Sequence, residues 1–159
     1  MDYAAVWSLL QCFLPDFTDR AVKLLSVARD EAEARHHALV TPEHVLLALV
    51  AIEPGVGRVA LERLGFDFQR EKQAIVALVV GAPPGSPNRG QSFSEEVKRM
   101  IVLAAAASKE LGHEYVGTEH LIVGLLRCGP CPAGDYLRQF GITVDRFREE
   151  AMRLLGQNR

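Results

Sequence analysis

Cys128-Gly129-Pro130-Cys131 sets two thiols at the C-x-x-C spacing of dithiol–disulfide oxidoreductases. In such enzymes one thiolate attacks, the second thiol resolves, and the motif follows a strand and opens a helix within an α/β fold. Four histidines, His37, His44, His113 and His120, form two pairs with the same internal spacing. Histidines near thiols raise the question of a metal, but H-x6-H-x7-C-x2-C across 113–131 fits no standard zinc spacing. No metal and no cofactor are therefore assigned, and the histidines are read as packing and capping residues. His37 and His113 should lie near a helix C-terminus, where a partly charged imidazole is favoured. Glu43 and Glu119 stand in TPEH and GTEH, one residue before the second histidine of each pair. An acidic residue in the first turn of a helix favours the helix dipole and needs no ligand.

The elements that must position these residues occur twice. When the chain is shifted by 76 positions, residues 17–50 fall on 93–126 without a gap, and 59–79 fall on 135–155. Phe17, His37, Val40, Glu43, His44 and Gly65 are among twelve residues that recur identically at this offset. Two modules, 17–80 and 93–156, are joined by the Gly/Pro-rich stretch 81–92, which reads as a surface linker. Modules this small bury little surface alone, so the two should pack about a pseudo-two-fold axis as one compact domain.

Each module reads as four helices. In the first, Thr18 caps a helix with apolar Ala21, Leu24, Leu25, Ala28 and Ala32 at helical spacing. That helix should stop near His36-His37. Thr41 caps a second helix with Pro42 at its first position. A short third helix ends at Gly65, and a fourth spans about 67–79. The second module repeats this pattern: a cap at Ser94, a stop at Gly112, helices over 118–127 and 134–140, a stop at Gly141 and a last helix to Leu155. No strand pattern competes. The fold class is all-α, eight helices, with a further short helix expected at 3–13 inside an apolar lead of residues 1–16. That lead is expected either to cover an exposed face or to serve self-association or partner binding.

Composition narrows the function classes. Net charge is −2 and there is no basic stripe interleaved with aromatics, so nucleic acid is not expected as a partner. No run of about 18 apolar residues exists, so no membrane span is expected. The N-terminus lacks the charged n-region and cleavage site of a signal peptide. Three cysteines do not suggest a disulfide framework, and a reducing, cytoplasmic setting is expected.

"FTDRA…ARHHALVTPEHVLLALV" and "FSEEV…ELGHEYVGTEHLIVGLL" resemble the two repeats of the Clp N-terminal domain, closest to the ClpC type. This is the docking domain of Clp/Hsp100 unfoldases, and the resemblance covers roughly 17–156. It implies a non-catalytic module that binds protein substrates or adaptors, including proteins marked by phosphorylated arginine, and that works with a Clp ATPase. It implies that Glu119 and Glu43 accept the guanidinium, with helix N-termini and the hydroxyls of Thr18, Ser94 and Thr118 toward the phosphate. The first module departs from the pattern. Thr41-Pro42 replaces Gly117-Thr118, Pro42 removes a backbone donor, and His36 stands where Gly112 sits, so the Glu119 site is the better candidate. No G-x-x-x-x-G-K-[ST] occurs, so no phosphate loop is present in this sequence. The added lead favours a free-standing Clp N-domain protein over a fragment of a longer unfoldase.

The repeat also bears on the dithiol. At the 76-residue offset, Cys128-Gly129-Pro130-Cys131 falls on Ile52-Glu53-Pro54-Gly55, a helix-ending turn without cysteine. A small dithiol oxidoreductase remains the alternative from a different class, but the preferred reading is not an enzyme. What is left is a redox question about two thiols on an expected surface loop.

Overall fold

The computed structural model describes residues 16–52, 54–80 and 92–157. The expected helix at 3–13 and nearly all of the expected linker lie outside them. Eight helices are present among the described residues: α1 (Asp19–Ala34), α2 (Pro42–Ala51), α3 (Val56–Arg63), α4 (Phe68–Val80), α5 (Glu95–Glu110), α6 (Thr118–Arg127), α7 (Pro132–Arg138) and α8 (Val144–Gln157). Adding 76 to the bounds of α1 gives those of α5, and adding 76 to α2 gives α6, residue for residue.

The helix ends follow from local chemistry. The Thr18 hydroxyl accepts from the Ala21 amide at 3.1 Å, and Ser94 accepts from Val97 at 3.2 Å. Gly112, Gly65 and Gly141 all end helices with positive φ, and His36, at the position matching Gly112, takes φ 55°. The third helix of the second module begins at Pro132, two residues earlier than expected, because the Cys131 sulfur accepts from the Gly134 amide at 3.3 Å and caps it.

The helices α2 and α6 form the centre. Every residue from Pro42 to Leu49 and from Thr118 to Leu126 is buried, as their nearly unbroken apolar sequences require. Helix α2 packs on α1, α4 and α7; α6 packs on α5, α3, α8 and α1. Leu24, Leu46, Phe66, Met100, Ile101 and Phe147 fill one continuous core.

One expectation needs correction. A short parallel pair joins β1 (Leu39–Val40) to β2 (Ser92–Phe93), so Ser92 belongs to a strand and not to the linker. Phe17 makes the reciprocal bridge to Val116. Residues 17 and 93, and 40 and 116, are repeat equivalents, so each module lends one edge residue to the other. The Ser94 amide donates to the Val40 carbonyl at 2.9 Å and the Thr18 amide to the Val116 carbonyl at 3.0 Å. Two-residue bridges leave no alternating strand pattern to read.

Helices α5 and α6 approach so closely that a Cβ on Gly124 would lie 2.2 Å from the Met100 carbonyl oxygen. Backbone cannot yield as a side-chain tip does. Gly124→Ala is expected to destabilise the fold by about 2 kcal/mol or more, an overpacking effect. Urea denaturation checks it, with the repeat-equivalent Ala48→Gly as the comparison expected to lose only about 1 kcal/mol.

Candidate functional site: the paired glutamate helices

Each candidate glutamate opens a central helix, and a histidine pair holds that opening in place. The backbone N–H of Gly117 donates to Nδ1 of His120 at 2.9 Å, and that of Thr41 donates to Nδ1 of His44 at 2.9 Å. Here histidine does the work a glutamate does in a capping box. An N–H can only donate, so both Nδ1 atoms are unprotonated and each neutral ring carries its proton on Nε2. Nε2 of His120 then donates to Nδ1 of His113 at 2.8 Å, and Nε2 of His44 to Nδ1 of His37 at 2.8 Å. His44 and His120 are fully buried. Burial, reinforced by the neighbouring histidine, pushes each down to about 4. His37 is also lowered, by burial and then by Arg35. His37 lies just past the end of α1, as expected, but its ring accepts from His44 and burial disfavours its charged form.

His113, Glu119 and His120 bring ligand-type atoms within 4.8 Å of one another. Both nitrogens of His120 are committed, to Gly117 and to His113, so neither is free to bind a metal. The Glu119 carboxylate lies 3.8 Å from Nδ1 of His120, and with that ring neutral the contact is not an ion pair.

Glu119 and Glu43 are both buried, yet held differently. Glu119 folds back over its own helix start: a Cβ on Gly117 would meet its two oxygens at 2.6 and 2.9 Å. It accepts from its own amide and from the Tyr115 hydroxyl, while burial raises its carboxyl above the usual range. In the first module Thr41 carries the Cβ that Gly117 lacks, and Glu43 accepts from the Thr41 hydroxyl and from its own amide. Oε2 of Glu43 is buried without a hydrogen-bond partner. Burial, and then the charge of Glu96, raise its carboxyl.

The reciprocal bridges bring the candidate residues together across the modules. Thr18, Arg20, Val56, Tyr115, Gly117, Thr118, Glu119 and Leu155 line one cleft of about 250 Å³. Thr118 also accepts from the Gly57 amide at 3.3 Å and so ties α6 to α3. Arg20 leans on the Pro54 carbonyl at 2.8 Å. Ser94 is buried and caps α5, on the side of the molecule where Val40 and Glu43 meet the second module. Sequence reasoning missed Arg20 and Tyr115. The signal for Arg20 was present: its repeat equivalent is Glu96, a charge reversal between copies.

Cys128 and Cys131 are not on a surface loop. They are 1% and 5% exposed, and Pro130 between them is exposed. Cys128 ends α6 and Cys131 opens α7, with the two sulfurs 3.7 Å apart. They lie on the Glu43 side, since the Glu43 charge reaches Cys131. Helix α6, not a strand, leads into the motif.

A doubled four-helix repeat with a glutamate-bearing cleft between its halves defines an all-α module without an ATPase core among the described residues. The chain belongs to the Clp repeat (R) N-terminal domain family, whose model matches residues 16–140 and again 92–157. It is 34% identical over 148 residues to the negative regulator of genetic competence ClpC/MecB of Bacillus subtilis, covering 89% of this chain and 17% of that protein. It is 33% identical over 143 residues to the chaperone protein ClpB of Oceanobacillus iheyensis, again covering 89% and 17%. The chain thus spans about a sixth of the length of these curated relatives. The crystal structure of the Hsp104 N-terminal domain from Candida albicans superposes with a TM-score of 0.74 at 21% identity, covering 89% of this chain and 93% of that one.

The neutral relays make stability depend on pH. A histidine whose folded pKa is lowered contributes stability that is present above its unfolded pKa of about 6.5 and is lost as pH falls toward 4. Each relay is expected to lose about 2 kcal/mol between pH 6.5 and 5. The raised carboxyls of Glu43 and Glu119 work in the opposite direction and offset part of this loss. Chemical denaturation from pH 7 to 5 measures the slope. In the double variant His44→Gln/His120→Gln, where glutamine still accepts from the helix-start amide, the slope should flatten.

Proposed function

We propose that this chain is a non-catalytic docking module of the Clp chaperone–protease system, binding protein substrates or adaptors, and that the Glu119 cleft takes a phosphorylated arginine side chain. One observation carries the reading: Thr18 and Arg20 from the first module and Glu119 from the second line the same cleft. A carboxylate accepts two N–H bonds from a guanidinium. The cation of Arg20, the N-terminus of α1 and the Thr18 hydroxyl suit a phosphate. A bound guanidinium would also favour the ionised form of Glu119, which burial disfavours.

The Glu43 side is the weaker half of the pair. Glu96 stands where Arg20 stands on the other side, and its charge already raises the Glu43 carboxyl. A phosphate there would meet a like charge. Pro42 in place of Thr118 also removes the hydroxyl.

The free-standing form, a cytoplasmic location and cooperation with a separate Clp ATPase belong to this proposal. A module of this kind holds a client and leaves pulling to the motor. The length of the open reading frame decides between a free-standing protein and the front of a longer unfoldase. Among the described residues no single helix is long and apolar enough to cross a membrane. The dithiol oxidoreductase is disfavoured by an all-α surrounding.

Calorimetry with free phosphoarginine tests the site. The wild-type chain should bind, Glu119→Ala and Arg20→Ala should each weaken binding at least about tenfold (about 1.4 kcal/mol), and Glu43→Ala should leave it nearly unchanged. No heat from the wild type, or equal affinity in Glu119→Ala, overturns the assignment.

A further inference from the structure

We propose that Cys128 and Cys131 form a reversible intramolecular disulfide that alters the seam between α7 and the Glu43-bearing helix α2. The two free sulfurs lie 3.7 Å apart and need only close to the roughly 2.05 Å of a disulfide. The first module makes the equivalent turn with Ile52 and Gly55, so the fold does not need thiols there. The turn joining the pair is at the surface: Pro130 is exposed, and Gly129 is half-buried with φ 101°.

The two sulfurs have different surroundings, which divides their roles. The Cys128 sulfur beside it, and then the Gly134 amide donating at 3.3 Å, hold the Cys131 thiol below the ordinary range against burial, Glu43 and Asp135. The single S–H of Cys128 is shared between the Leu125 carbonyl at 3.3 Å and the Cys131 sulfur at 3.7 Å, and its thiol is pushed up by the contact with Cys131 and by burial, against Arg99 and Arg138. Those two arginines are pinned nearby, on the carbonyls of Cys128 and Leu126, each at 2.6 Å. Cys131 is thus the attacking sulfur and Cys128 the resolving one.

The oxidant is a low-molecular-weight disulfide such as oxidised glutathione. The Cys131 thiolate attacks one of its sulfurs, forms a mixed disulfide and releases one thiolate. Cys128 then loses its proton to solvent and attacks the Cys131 sulfur, which expels the second thiolate. The protein loses two hydrogens and the oxidant becomes two thiols. Oxidation turns the sulfur that accepts the Gly134 amide at the start of α7 into a disulfide sulfur, a weaker acceptor. Helix α7 packs on α2, and the Glu43 charge reaches Cys131, so the change is delivered to the first module's glutamate helix.

The test uses the full chain carrying Cys12→Ser, so that this pair holds the remaining thiols. Equilibrated across glutathione buffers, it should lose the mass of two hydrogens in one step, regain it with reductant, and keep its helicity throughout. Amide exchange at Gly134 should rise in the oxidised form. In addition, Cys128→Ser should trap glutathione on Cys131, while Cys131→Ser, which keeps a capping hydroxyl, should trap little. Two alkylatable thiols at the oxidising end, or mixed disulfides alone, overturn the proposal. Preferential trapping on Cys128 overturns the division of roles, and unchanged Gly134 exchange overturns the effect on α7.

Discussion

The structure depends on an exchange of edges between its two halves. Val40 pairs with Phe93, and Phe17 with Val116. Each bridge joins the residue just before one module's first helix to the residue just before the other module's glutamate helix. A backbone amide and carbonyl fix the spacing to about 3 Å at both places. The starts of α1 and α6 must therefore face each other, as must those of α5 and α2. Helix N-termini bear partial positive charge. Two such ends converging on one cleft create a place for anions, and the buried glutamate beside them gives that place a second sign. Neither module has this arrangement alone, because each contributes only one of the two facing ends. The cleft therefore exists only when the halves are docked.

Burial of α2 and α6 imposes a second constraint. A helix start enclosed by protein leaves amides without water, and each unsatisfied donor costs roughly 1–3 kcal/mol. At the amides of Thr41 and Gly117 the chain meets this with a neutral histidine, while each glutamate accepts from its own amide. The partner histidine then accepts the proton left on the far nitrogen, and no donor or acceptor of the inner ring is stranded. The glutamate next to it is thereby released from capping the preceding residue. In the second module it lies over a glycine, with a tyrosine hydroxyl as partner.

Much of this was legible in the sequence. The 76-residue offset predicts the helix order, the caps at Thr18, Ser94 and Thr41 and the stops at Gly65, Gly112 and Gly141, because these rest on local chemistry that a short window contains. His36 in the left-handed region was legible for the same reason: its repeat equivalent is a glycine. The bridges were not, since a two-residue strand has no period. The histidine relay was only half legible. Its spacing was evident, but which nitrogen donates depends on a backbone amide that only the fold presents. The depth of Cys128 and Cys131 was misjudged because the turn was read as a loop, whereas α7 starts directly at Cys131 and draws both sulfurs inward.

A duplicated fold makes its own control experiment, and the differences between copies then carry meaning. Positions that serve the shared architecture recur: the paired histidines, the bridging Val40 and Val116, and the Phe17 and Phe93 opposite them. Positions around the two glutamates have diverged together. Arg20 against Glu96, Tyr115 against Leu39, Gly117 against Thr41 and Thr118 against Pro42 all separate the Glu119 side from the Glu43 side. Four changes of charge, ring, backbone clearance and hydroxyl fall around one pair of helix starts, although the helices themselves keep the same bounds at the 76-residue offset. They leave one side with a cation, a supported carboxylate and open backbone. The other has two carboxylates, one of them with an orphaned oxygen, and a pair of thiols nearby. The pseudo-symmetry that places two glutamates does not make their surroundings alike: one half of the repeat is suited to a ligand with both signs of charge, and the other lacks the groups such a ligand would need.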